Sequence, residues 1–113
     1  GRFVNRGPME RGLPVDLGPT AVLDVASGGS GGIEVIVTSA CVAPNDPAYF
    51  ALHGIDPARL GLLCVKAKNH FRAAFAEIFA AILDVDTPGP AALDLARLPF
   101  RNVPPERLPP AHT

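Results

Sequence analysis

The chain has 113 residues, 48% of them hydrophobic, with 10 basic and 11 acidic side chains and a formal net charge of −1. That length fits one domain that can bury a core without disulfides or metals as staples. The balanced charge gives no general ground for nucleic acid or an anionic membrane as partner, so any basic patch must be local.

The opening "GRFVNRGP" has no initiator Met and reads as a piece cut from a longer protein that enters a strand at once, at 3–5. "RGPMERGLP" then reads as a loop. "TAVLDVA" (20–26) and "GIEVIVTSA" (32–40) are β-favouring runs on either side of a Gly-rich "SGGSGG", which predicts a hairpin with a flexible tip. Two short helices follow. Asp46-Pro47 starts the first and Gly54 stops it; Asp56-Pro57 and Gly61 repeat the pattern over one turn.

"LLCVK" (62–66) has the pattern of a buried strand. Phe71, Phe75, Ile78, Phe79 and Ile82 then recur at helical spacing among alanines, with Asn69 as N-cap, and "ILDVD" (82–86) turns strand-like before "TPGP". Strand, helix and strand in that order predict a βαβ unit with 62–66 and 82–86 as parallel neighbours. Phe71, Phe75, Ile78 and Phe79 are expected to face its sheet. The fold class expected is therefore α/β, a mixed sheet with a hairpin and a βαβ unit and helices packed on it. Residues 1–103 form the expected domain and 104–113 a Pro-rich tail.

Cys41 and Cys64 lie in apolar runs outside any CxxC pair, which predicts two buried, reduced thiols. No signal-peptide order is visible, and the longest apolar stretch, about 73–85, is too short to span a bilayer. A cytoplasmic location is expected. The three histidines, His53, His70 and His112, have no metal-ligand spacing, so no metal is expected on this chain itself. His53 is expected to meet carbonyls at the end of its helix. No GxSxG or P-loop ending appears.

One stretch stands out. In "VKAKNHFRAAF", Lys66, Lys68, His70 and Arg72 gather at what reads as a helix N-terminus, where positive charge is disfavoured. Two readings stay open. Lys66, Asn69 and Arg72 bind an anion at the carboxyl end of a parallel strand, with His70 as a catalytic candidate. Alternatively the stretch is a solvated basic turn whose long stems cover apolar surface.

"NRGPMERGLPVDLGPTAVLDV", "GGIEVIVTS", "DPAYFALHGIDP", "VKAKNHFRAAF" and "VDTPG" together resemble the C-terminal region of the microcystinase C (MlrC) family. The Lys-x-x-x-His-Phe-Arg-Ala-x-Phe segment is met by Lys66, His70, Phe71, Arg72, Ala73 and Phe75. Ala67 stands where the family often has Ser, and "PPERLPPAHT" departs from its usual tail. The resemblance implies a metal-dependent, peptidase-like hydrolase, named for cleavage of linearised microcystin, with zinc held by an N-terminal region that this chain lacks. It implies that region as partner, and a peptide or amide as substrate. On this reading the chain completes or covers the metal site and holds an anionic substrate group. The alternative is a non-catalytic interaction domain that stabilises the parent fold or its oligomer.

Overall fold

The computed structural model describes residues 1–25, 32–87, 95 and 98–107. Most of the "SGGSGG" tip, the "TPGP" stop beyond Thr87, the end of the tail and His112 lie outside the described residues. The chain divides into two compact units, Gly1–Ile82 and Leu83–Thr113. In the second, the described residues include a 3-10 turn at Pro105–Arg107.

In the first unit, β1 (Arg2–Val4) and β2 (Pro14–Asp16) pair antiparallel, with Phe3 opposite Val15. Buried Asn5 closes their loop through its backbone: its N–H donates to Leu13 O at 3.0 Å, and its C=O accepts from Gly12 N–H at 2.9 Å. Asp16 bonds the Gly18 N–H at 2.8 Å and the Arg2 guanidinium at 2.7 Å. The Gly18 bond, followed by that of Arg2, holds the Asp16 carboxyl below the usual aspartate range.

β3 (Thr20–Val25) and β4 (Ile33–Thr38) form the second antiparallel ladder, where the sequence predicts the hairpin. Directly opposed residues share a face. Ala21, Leu23 and Val25 therefore lie with Val37, Val35 and Ile33 on one side. Asp24, Glu34, Val22 and Ile36 lie on the other, and Ile36 reaches the core.

α1 (Pro47–Ala51) starts as the sequence predicts. The Asp46 backbone is extended, Pro47 follows, and the Asp46 Oδ1 accepts the Ala48 N–H at 2.8 Å. Gly54, at φ +75°, takes the left-handed conformation beyond the helix, and Ile55 N–H closes on Phe50 O at 3.0 Å. Asp56 caps a 3-10 turn at Pro57–Arg59 in the same manner.

Asp46 does more than cap. Its Oδ2 also accepts the N–H groups of Arg6 (3.0 Å) and Gly7 (2.7 Å), although the residue is 3% exposed. A carboxylate can stay buried when its oxygens are so fully bonded. The bond pulls the loop after β1 onto the start of α1. Phe3 then meets Tyr49 edge-on at 6.1 Å, and Phe50 meets Phe75 at 5.7 Å. Leu17, Tyr49, Phe50 and Phe75 are the buried core.

The expected mixed sheet with a βαβ unit is absent among the described residues: two separate two-stranded antiparallel sheets take its place. Residues 62–66 and 82–86 join no ladder. Their strand-like patterns are local, whereas a parallel ladder needs a neighbour brought alongside by a crossover. α2 (His70–Phe75) is also shorter than the periodicity predicts. Short helices depend on a buried face, and this one has it where Phe71, Ala74 and Phe75 meet the aromatic cluster. Phe79 still packs there after the helix ends, but Ile78 is 36% exposed. Cys41 and Cys64 are free, as expected, yet both are exposed rather than buried.

Four outcomes are expected. Replacing Asp46 by Ala should lower the stability to urea by at least about 3 kcal/mol, because it removes three bonds to a charged group, each contributing roughly 1.5–3 kcal/mol. Gly7→Ala should also destabilise the chain, since a Cβ there would stand 2.9 Å from the Asp46 carboxylate; an unchanged midpoint for either variant would count against the role given to Asp46. Both thiols should react with a disulfide reagent in the native chain at about the rate of a free thiol, whereas burial would delay them until denaturant is added. For Asp16 the folded pKa lies below the unfolded one, so its contribution is present above the unfolded value and is lost as pH falls through the folded one. Arg2→Ala should raise the Asp16 titration midpoint seen by NMR, and no change would contradict the assignment.

Candidate functional site

The basic stretch does not sit at a strand end. Lys66 and Lys68 are exposed on a segment without a ladder. Asn69 occupies the N-cap position of α2 but is itself αR (φ −105°, ψ −19°) and makes no side-chain capping bond. The Arg72 guanidinium lies 5.2 Å from the centroid of the Phe71 ring, a cation–π distance, and the residue is half-buried. His70, the first residue of α2, is exposed and borders a cleft of about 170 Å³.

Phe3, Val15 and Val42 line the apolar part of that cleft, and Glu10, Asn45 and His70 contribute polar groups. Glu10 has φ 54°, in the left-handed region where a side chain is strained. Asn45 Oδ1 is buried with no hydrogen-bond partner among the described residues. The cleft also touches Asp46, whose two oxygens already accept three backbone N–H groups. The carboxylates of Glu10 and Asp46 give the cleft a bias against anions. Of the sequence-predicted residues, the cleft brings in His70; Lys66, Asn69 and Arg72 do not line it.

A zinc centre does not fit the described residues. No three His, Cys, Asp or Glu side chains converge among them. His53 Nδ1 is taken up by the Tyr49 carbonyl at 2.7 Å, the helix-end contact expected from the sequence. No helix among the described residues is long and apolar enough to cross a membrane.

An unclaimed apolar feature lies on the hairpin. On its all-apolar face, Leu23, Val25, Ile33, Val35 and Val37 are between 41% and 57% exposed, and Ala21 is exposed beside them. A two-stranded sheet is marginal alone and needs its apolar face covered. A contiguous apolar patch of this kind marks an interaction surface. The signal was in the sequence: once Asp24 is set opposite Glu34, every residue of the other parity is apolar.

Comparison with family models matches residues 1–102 to "MlrC C-terminus". Neither curated proteins nor solved structures give a match. The match covers nearly the whole chain, so the chain belongs to the MlrC C-terminus family.

Proposed function

We propose that this chain is a docking module of an MlrC protein, whose task is to bind and stabilise the remainder of that protein. One observation carries the reading: the uncovered apolar face of the β3–β4 hairpin. Burying it removes apolar surface from water and gives the hairpin the support that a two-stranded sheet lacks. The family adds the expectation of a metal-dependent hydrolase as parent. In that setting the metal ligands come from outside the described residues, and the module acts on catalysis through the fold that it completes. A reducing, cytoplasmic setting belongs to the same reading, since two exposed thiols stand unpaired.

The finer reading has Lys66, Asn69, His70 and Arg72 holding an anionic substrate group, with His70 as acid or base. Its support is the place of His70 at the cleft. The carboxylates in the same cleft oppose it, and the strand end that was to present Lys66 is missing. The docking reading therefore has the stronger support.

The test pairs Leu23→Glu with Val35→Lys. The two positions are directly opposed, so the substitutions leave a cross-strand ion pair in place of the apolar contact. Far-UV circular dichroism should be preserved. Affinity for the remainder of an MlrC protein, supplied in trans, should fall about tenfold or more, equivalent to about 1.4 kcal/mol. Unchanged affinity would remove the hairpin face from the interface and the proposal with it.

A further inference from the structure

Residues 62–68 carry a pattern that the fold leaves unused. Leu62, Cys64, Lys66 and Lys68 are exposed, while Leu63, Val65 and Ala67 between them are half-buried. Leu63 and Val65 pack against the aromatic core. Strict alternation over seven residues is the signature of a β-strand lying with one face on a core. Yet no backbone N–H or C=O of 62–68 bonds to a described residue. Backbone groups of a strand ordinarily find partners in a ladder.

We infer that 62–68 is an edge awaiting a strand, and that the strand comes from the part of an MlrC protein outside this chain. The inference rests on the docking reading and names the form that docking takes at a second place. Within the chain, the described strands pair β1 with β2 and β3 with β4, and none of them pairs with 62–68. The segment contains no proline, and its lysines guard only its C-terminal end, so the remaining edge is open to pairing. The family description places the matched region at the C-terminus of MlrC proteins, which leaves the rest of such a protein as the source.

The outward face specifies the partner's chemistry. It runs from Leu62 and Cys64, apolar, to Lys66 and Lys68, cationic. The incoming strand therefore carries apolar side chains level with Leu62 and Cys64, and carboxylates level with the lysines, where opposite charges stabilise a cross-strand pair. Main-chain bonds supply affinity and this pattern supplies register. On this account the positive charge before α2 serves the strand and its partner.

The experiment is amide hydrogen exchange on the 113-residue chain, alone and with the remainder of an MlrC protein present in the same polypeptide or in trans. Alone, the amides of 62–68 should exchange at nearly coil rates. With the remainder bound, alternate amides should slow by about a hundredfold or more, as for hydrogen bonds that open only with their structural unit. Lys66→Glu with Lys68→Glu should weaken association and shrink that protection. Association measured by sedimentation while 62–68 stays unprotected would overturn the strand addition and leave the docking reading standing. No association at all would overturn both. Protection that rises with the concentration of the chain alone would identify a second copy as the occupant and overturn the assignment to the remainder.

Discussion

The buried Asp46 carboxylate is the constraint on which the first unit depends. It accepts the N–H groups of Ala48, Arg6 and Gly7, and so joins a helix start to a loop about forty residues earlier in the chain. A buried charge without these bonds would cost several kcal/mol, so the loop and the helix must form together or not at all. Once they do, Tyr49 lies against Phe3 and Phe50 against Phe75. The absence of a side chain on Gly7 lets the loop approach this closely. A single polar contact thereby sets where the aromatic core assembles.

Signals confined to a few residues were legible in the sequence. The Asp-Pro starts at Asp46 and Asp56, the Gly54 stop, the hairpin strands and the carbonyl contact of His53 were all readable, because each follows from local backbone chemistry. The second role of Asp46 was not, since nothing local announces a bond to Arg6 and Gly7. The pairing of strands was misread for the same reason. "LLCVK" has the alternation of a strand, but a pattern does not say what lies beside it. The candidate site suffered with it, because Lys66 was placed by a parallel strand that does not form. The length of α2 was overestimated because alanine-rich periodicity records helix preference, whereas a helix this short persists where Phe71, Ala74 and Phe75 find a core.

Two features then have one explanation. The hairpin turns six apolar side chains outward, and residues 62–68 keep strand-like alternation without a ladder. Each is costly in a self-sufficient fold: the first exposes apolar surface, and the second leaves backbone groups to water beside a core. Both make sense if the aromatic cluster is one part of a larger assembly whose sheet is finished by other residues of an MlrC protein. The local design is strong around Asp46 and weak at these two places, which is the distribution expected of a module that docks.

That claim is tested most directly by equilibrium unfolding of the chain in urea across a range of concentrations of the remaining part of an MlrC protein. Anything that binds the folded state alone raises stability by RT ln(1 + [L]/Kd), about 2.7 kcal/mol at a hundredfold excess over Kd. The account predicts a midpoint that climbs with the logarithm of that concentration. A midpoint unchanged at every concentration would contradict it and make the chain a fold complete in itself.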